Sequence, residues 1–256
     1  MSSVTKRISQ IEQPIGGYVS PKLFIKIKVD SEEELNNEEN ISPAVIGLAV
    51  DYLTRFMLNH SVEKAFHISL LGAMLAPGNQ LENAEKLCQN ISGINDESVI
   101  SAIKLASYDV CYRAGNLYFR SVETINPDKE TIRNVQIMVK RSLIFFSEHG
   151  PVTLDGFKFK GAYTSTVNAG DGDFLTEKTL WDFKVSKKDT IDSKYSLQLL
   201  MYYIMGLHSK QPEFNSIKNL GIYNPRLNII SVCPLDRVSK DIIKKVEDDV
   251  ICYDSK

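Results

Sequence analysis

The segment 172–202 constrains the fold of this chain more than any other part of it. It begins with two short apolar runs separated by the polar residues 176–179, a pattern typical of a β-hairpin. Because side chains alternate along a strand, Asp182 and Lys184 in the second run face the same side. Asp173 lies in the first run, so pairing of the two strands would bring it near Asp182. The segment therefore predicts two carboxylates and one ammonium group on one face of a sheet.

This combination of charged groups predicts a site for a hard cation. Two converging carboxylates repel each other, and Mg²⁺ binds one or two carboxylates together with waters and phosphate oxygens. Lys184 could hold its charge against a phosphate or an attacking water, as in metal-assisted hydrolysis of a phosphodiester. Phe183 could offer a metal only its main-chain carbonyl. Taken alone, however, a D-x-K sequence on a strand is more often a surface ion pair.

A helix is predicted directly after the hairpin, over Asp192–Leu207, from apolar residues at helical spacing. Gln198 and Tyr202 lie four positions apart and therefore share one face of this helix. Together they present an amide and a phenol, which suit hydrogen bonding to waters or phosphates near a cation. On its own, a tyrosine on an amphipathic helix more often lies at the edge of a core.

The order of these residues resembles the PD-(D/E)XK nuclease superfamily, specifically its RecB-like branch. That pattern has a lone Asp, then D/E-x-K on the next strand, then Q-x-x-x-Y on the following helix. The residues that match it here are Asp173, Asp182, Phe183, Lys184, Gln198 and Tyr202. The resemblance covers about residues 40–232. It implies an α/β fold with a mixed central sheet flanked by helices, a restriction-endonuclease-like core, and the activity of a Mg²⁺- or Mn²⁺-dependent deoxyribonuclease.

The resemblance also implies roles for the individual side chains. The catalytic residues would be Asp173, Asp182, Lys184, Gln198 and Tyr202, and the metal would be held by Asp173, Asp182 and the carbonyl of Phe183. RecB-like nucleases often carry a G-x-x-x-(H/E/D) motif on a helix before the nuclease strands. Gly47 and Asp51 look like that motif, which makes Asp51 a further candidate metal ligand.

The helix that carries Asp51 is predicted over 42–59, with Ser42 as the N-cap and Pro43 at the first helical position. An alternative interpretation of Asp51 stays open at this point. Arg55 follows it four residues later, so the two side chains could simply form an ion pair along the helix surface.

The remaining pattern predicts one nuclease-like domain over 1–256, with 60–148 as a helical insertion. With 43% apolar residues, the chain has ample material for a core. Helices are predicted at Val62–Leu75, Gln80–Ile91, Val99–Ala114, Lys129–Phe146 and Val238–Cys252. Besides the hairpin, strands are predicted at Leu23–Val29, Phe157–Tyr163, Asn219–Asn224 and, at the edge, Asn228–Cys233. We expect a sheet of four or five strands.

Charge and cysteine usage limit the expected partners. The formal net charge is −2, so contact with DNA must come from a local patch such as the lysines around the hairpin. The four cysteines lack C-x-x-C spacing and do not fit the iron–sulfur cluster of some RecB-like nucleases. Free thiols in a cytoplasmic protein fit better. No run approaches 18 apolar residues, so no membrane span is expected.

Several questions of function stay open from the sequence. The chief alternative is a catalytically inactive module that keeps the nuclease fold for DNA binding or assembly. A second is a metal-dependent enzyme acting on nucleotides or other phosphate esters. No G-x-x-x-x-G-K-[ST] loop is present, so a helicase or recombination partner would be a separate chain. The last predicted helix is amphipathic and could pack against a second copy of the chain. Exonuclease or endonuclease action, DNA repair, phage processing and phage-related defence all remain compatible.

Overall fold

The structure, a computed structural model, describes residues 2–253. The chain divides into two compact units, one formed by residues up to Asp30 together with those from Phe146 onwards, and the other by Ser31–Phe145. The first unit contains the sheet and the predicted site, and the second is helical. Most of the predicted segment 60–148 lies in the second unit, which begins earlier, at Ser31. That this unit is an insertion into a nuclease domain stays a prediction.

The first unit contains a six-stranded mixed sheet in the order β1-β6-β5-β4-β3-β2. The strands are β1 Ile25–Lys28, β2 Val152–Lys158, β3 Asp171–Thr176, β4 Thr179–Phe183, β5 Asn219–Asn224 and β6 Ile229–Pro234. Strands β4 and β5 are parallel, and the other neighbouring pairs are antiparallel. The predicted α/β class with a mixed sheet and flanking helices is thus confirmed, with more strands than expected.

The part of the chain that the structure describes contains ten α-helices. They are α1 Val4–Gln10, α2 Pro43–Asn59, α3 Val62–Ala65, α4 His67–Leu75, α5 Leu81–Gln89, α6 Asp96–Ala106, α7 Asp109–Arg113, α8 Lys129–His149, α9 Ser193–His208 and α10 Lys240–Lys245. A π-helical turn, Val246–Ile251, continues α10. The predicted last helix therefore begins at Lys240, later than Val238, and changes from an α-helix to a π-helix at Val246.

The predicted hairpin is present. In β3 and β4, Phe174 lies opposite Trp181 and Leu175 opposite Leu180. All five residues of β4 are buried, as expected for a strand that is covered on both faces. A Cβ on Gly221 of the neighbouring β5 would lie 2.2 Å from the Trp181 ring. Glycine at this position therefore lets the indole lie against the adjacent strand.

Helix α9 agrees closely with its prediction. Asp192 is its N-cap and accepts a hydrogen bond from the main-chain N–H of Lys194. Ten of its sixteen residues are buried, so the helix is a central part of the core and not a surface element. Gly206 near its end has a packing role, because a Cβ there would lie 2.0 Å from the Phe214 ring.

Two strand predictions were wrong in ways that have physical explanations. The strand expected over 157–163 is found at Val152–Lys158. Gly161 has a φ of +87°, and the N–H of Ala162 donates to the carbonyl of Phe159 over 3.0 Å, so the alternating residues after 158 lie in a turn. Strand β6 is not at the edge, because β1 pairs with it and itself forms the edge.

In the second unit, helix α2 begins and ends as predicted. Ser42 accepts a hydrogen bond from the N–H of Val45, and His60 ends the helix in the left-handed conformation with φ 59°. The long helix predicted over Val62–Leu75 is divided into α3 and α4, and that over Val99–Ala114 into α6 and α7. In both segments a short turn interrupts the helix, although the helical spacing of apolar residues continues through it in the sequence.

Candidate functional site

Asp173 joins the two strands of the hairpin at the end of their pairing. Beyond the pair Phe174–Trp181, the main-chain N–H of Phe183 donates a 2.9 Å hydrogen bond to Oδ2 of Asp173. A carboxylate thus takes the place of a main-chain acceptor at this point. The bond holds the acid of β3 against the residue between Asp182 and Lys184.

Asp182 and Lys184 form a largely buried ion pair. The ammonium nitrogen of Lys184 lies 2.7 Å from Oδ2 of Asp182 and donates to Oδ1 over 2.9 Å. The Asp182 side chain is 2% exposed and that of Lys184 is 23% exposed. This burial distinguishes the pair from the surface ion pair that a D-x-K sequence more often forms.

The ammonium charge of Lys184 is stabilised by both acids. Burial by itself would lower the pKa of Lys184, but the negative charges of Asp182 and then Asp173 outweigh it. The pKa of Lys184 therefore lies above the ordinary value of 10.5. The side chain is therefore an ammonium ion at neutral pH.

Three residues that sequence reasoning did not select, Tyr223, Tyr195 and Asn224, contact Lys184 or the segment after it. The main-chain N–H of Lys184 continues the sheet by donating to the carbonyl of Tyr223 over 3.0 Å, and its ammonium lies 5.0 Å from the centre of the Tyr195 ring. The side chain of Asn224 donates to the carbonyl of Ser186 over 2.8 Å, which fixes the segment that follows. The sequence shows that Tyr195 lies on a predicted helix and that Asn224 begins an Asn-Pro-Arg sequence. It does not show which segments these two side chains contact.

The ring of Phe183 belongs to the core. It lies parallel to the ring of Phe146 at 5.4 Å between centroids and contacts Phe174 at 4.7 Å and Tyr223 at 5.3 Å. Any polar contribution of Phe183 to the site therefore comes from its main chain, as the sequence pattern predicts.

Gln198 and Tyr202 form the polar part of α9. The amide nitrogen of Gln198 donates to the Tyr202 hydroxyl over 2.9 Å, and both residues are buried. The Tyr202 ring stacks on Phe159 at 5.1 Å. Burial raises the pKa of Tyr202 far above its ordinary value, and the charges of Asp173 and Asp182 raise it further, although the bond from Gln198 opposes them. Tyr202 is therefore a neutral phenol.

Asp51 lies on α2 in the second unit. Its carboxylate accepts from Nε and Nη2 of Arg55 over 3.0 and 2.7 Å, a two-point ion pair four residues apart. This is the contact that the alternative interpretation of Asp51 predicts, while a role as metal ligand stays a prediction. Across residues 2–253, no three His, Cys, Asp or Glu side chains are grouped so that they could hold a metal ion.

Comparison with known proteins adds no assignment. No protein-family model, curated protein or solved structure matches this chain. Within the described part of the chain, none of the helices has the length and apolar character needed to cross a membrane. The four cysteines are free thiols, with Cys88, Cys111 and Cys233 buried and Cys252 partly exposed.

Proposed function

We propose that this protein is a metal-dependent nuclease of the RecB-like PD-(D/E)XK type, built on a restriction-endonuclease-like core, that hydrolyses phosphodiester bonds of DNA. The single observation that carries the proposal is a convergence of charges. Oδ2 of Asp173 accepts from the N–H of Phe183 over 2.9 Å, and on either side of Phe183 the Asp182 carboxylate and the Lys184 ammonium lie 2.7 Å apart in a largely buried pair. A buried ion pair is weak evidence for stability, and charged groups gathered in this way are candidates for a functional site.

The metal would be Mg²⁺ or Mn²⁺. Asp173 and Asp182 offer the oxygen donors that hard cations take, with the Phe183 carbonyl as a further candidate. The residues fit such an ion in charge as well, because two carboxylates against one ammonium leave a net negative cluster that a cation would neutralise. When bound, the ion would supply Lewis-acid polarisation of a phosphate oxygen and lower the pKa of a bound water.

The chain's own side chains would do the rest by electrostatics and hydrogen bonding. Lys184 has a raised pKa, so it keeps its proton and acts as a fixed positive charge beside the reacting phosphate instead of as a general base. Tyr202, a neutral phenol that accepts from Gln198, can donate its hydroxyl hydrogen to a phosphate oxygen or to the attacking water.

The wider setting follows from the same proposal. DNA is the expected substrate, acted on in the cytoplasm, and any ATP-driven helicase or recombination protein would be a separate chain. A second copy of the chain could pair through the C-terminal helix.

The test is a cleavage panel with plasmid DNA, single-stranded DNA and RNA in Mn²⁺ and Mg²⁺. We expect the wild type to cleave DNA, and the Asp182→Asn and Lys184→Met variants to lose at least about 100-fold of that activity, the size of effect found when one preorganised electrostatic group is removed. Cleavage at wild-type rates by either variant would contradict the proposal. Activity on mononucleotides alone would point to the phosphate-ester enzyme.

A further inference from the structure

Strand β1 forms one edge of the sheet, and its main chain shows which of its groups point outwards. In an antiparallel pair, alternate residues direct both their N–H and their C=O to the same neighbour. The N–H of Val29 donates to the carbonyl of Asn228 over 2.8 Å, and the Asn228 side chain donates to the Val29 carbonyl over 3.0 Å. Residues 25 and 27 alternate in step with Val29, so their main-chain groups point to β6. Those of Lys26 and Lys28 therefore point away from the sheet.

The main-chain groups of Lys26 and Lys28 form an open pairing site for a further strand. They are two N–H and two C=O groups, on residues that lie about 7 Å apart along the strand. All four residues of β1 are exposed, and within the described residues no hydrogen bond takes up these outward groups. Unpaired main-chain groups at a sheet edge can bind an extended segment of another chain by β-strand addition.

The side chains of β1 alternate between apolar and basic. Ile25 is 47% exposed and Ile27 is 53% exposed, and both lie on one face of the sheet. Val232 of β6, opposite Ile25, is partly exposed and extends this apolar surface. The side chains of Lys26 and Lys28 lie on the other face. A strand added beside β1 would therefore place alternate side chains next to apolar and next to basic neighbours.

The positive charges of β1 have no acid partner of their own. The ammonium of Lys26 donates to the main-chain carbonyl of Asp189, which is a neutral acceptor. In the part of the chain that the structure describes, neither Lys26 nor Lys28 forms an ion pair with a carboxylate. Arg237 adds a positive charge near the start of the strand, where its guanidinium donates to the carbonyl of Leu23 over 3.5 Å. The edge therefore favours a negatively charged neighbour.

A second copy of β1 does not fit this edge. Two copies related by a twofold axis would pair antiparallel, with opposite residues on the same face of the sheet. The two registers that pair three residues of β1 are centred on Lys26 or on Ile27, and they place Lys26 opposite itself or opposite Lys28. Like charges directly opposite each other destabilise such a pair. Lysines on an edge strand thus discourage pairing between copies and leave the edge open to a strand of opposite charge.

We propose that β1 is a docking strand for an extended acidic segment of a partner protein. The main chain of that segment would bond to the outward groups of Lys26 and Lys28. Its side chains would alternate between acidic, beside the two lysines, and apolar, beside Ile25 and Ile27. This interaction needs neither a metal ion nor nuclease activity, so it stands apart from the proposed function.

Binding of model peptides to the full chain tests the charge and the alternation. The probe is a fluorescent decapeptide of alternating valine and glutamate, and its control has the same composition in two blocks. We expect the alternating peptide to bind at least about tenfold more tightly than the block peptide. Lys28→Glu should weaken its binding about tenfold, because an attraction becomes a repulsion. Lys160→Glu, which makes the same charge change at an exposed turn, should leave binding unchanged.

Hydrogen exchange of single main-chain amides locates the bound peptide. The N–H groups of Lys26 and Lys28 should exchange rapidly in the free protein and at least about tenfold more slowly when the alternating peptide saturates it. Binding without this slowing would indicate association through the side chains alone and would overturn the proposal.

The remaining outcomes also count against strand addition by an acidic segment. Equal binding of the two peptides, or no binding of the alternating one, would overturn the proposal. Slowing at Lys26 and Lys28 that rises with protein concentration, without peptide, would show that a second copy occupies the edge. A single-stranded oligonucleotide that binds more tightly than the peptide, and is lost in Lys28→Glu, would make the edge a nucleic-acid site instead.

Discussion

Oδ2 of Asp173 accepts a 2.9 Å hydrogen bond from the main-chain N–H of Phe183, so the acid of one strand is tied to the centre of the D-x-K sequence on the next. This contact gives Asp173 two separable roles. Its oxygen accepts the hydrogen bond that joins the ends of β3 and β4, and its negative charge is available for a metal ion together with that of Asp182.

Substitution of Asp173 should separate these roles. Asp173→Asn keeps an oxygen acceptor for the N–H of Phe183 and loses only the charge, whereas Asp173→Ala loses both. We expect the asparagine variant to unfold in urea within about 1 kcal/mol of the wild type and the alanine variant to lose about 1–3 kcal/mol. Both should lose DNA cleavage by about 100-fold or more. An asparagine variant with full cleavage would show that the charge of Asp173 is not needed.

Replacement of Lys184 should lower stability through Asp182. In Lys184→Met the buried carboxylate loses the ammonium that lies 2.7 Å away. We expect a loss of up to about 3 kcal/mol in unfolding free energy in EDTA, the lower end for breaking a buried pair because the lysine is partly exposed. Mg²⁺ or Mn²⁺ should restore part of it by supplying positive charge. Lys184→Arg is the matched control. Stability equal to the wild type in EDTA would contradict the ion pair's role.

The pH dependence of the Lys184 contribution has a definite sign. The pKa of Lys184 is raised in the folded state, so its contribution is complete below the ordinary lysine pKa of 10.5 and is lost as the pH rises through the folded-state value. The difference in unfolding free energy between wild type and Lys184→Met should therefore be constant from about pH 7 to 10. A difference that falls already between pH 7 and 9 would indicate a lowered pKa instead.

The hairpin, α9 and the ends of α2 could be predicted because each depends on neighbouring residues. Caps such as Asp192 and Ser42 act within one turn of their helix, and the alternation of β4 fixes which side Asp182 faces. The pairing of β1 with β6 could not be predicted, because Ile25 and Val232 lie about two hundred positions apart and neither strand's pattern specifies its partner.

The candidate site shows the same limit. The order of Asp173, Asp182 and Lys184 was visible in the sequence, since a hairpin brings near neighbours together. The ring beneath Lys184 and the amide of Asn224 depend on contacts across β4, β5 and α9.

Gln198 and Tyr202 should act as a coupled pair. Tyr202→Phe removes the acceptor of the Gln198 amide in a buried place, and Gln198→Leu removes the donor. Each single change should cost about 1–3 kcal/mol of stability, and the double variant should lose clearly less than their sum. Cleavage should fall in Tyr202→Phe without a change in Mn²⁺ affinity. Additive stability losses would show that the bond contributes little.

In the second unit, Asp109 is the centre of a buried polar network. It is 1% exposed and accepts from the hydroxyls of Tyr52 and Ser69 over 2.6 Å each and from Nε of Arg113 over 3.2 Å. Asp109→Ala leaves three donors without their acceptor, so we expect a loss of about 3 kcal/mol or more in urea unfolding. Ser69→Ala, which removes one donor, should cost about 1 kcal/mol. Similar losses for the two variants would contradict a central role for the carboxylate.

The measurement that tests the central claim most directly is calorimetric titration of the metal-free protein with Mn²⁺, using wild type and Asp173→Asn. We predict that the wild type binds Mn²⁺ and that the variant, folded to the same extent by circular dichroism, loses the binding heat. No binding to the wild type, or equal binding to both, would contradict a metal site at these two acids and with it the proposed nuclease.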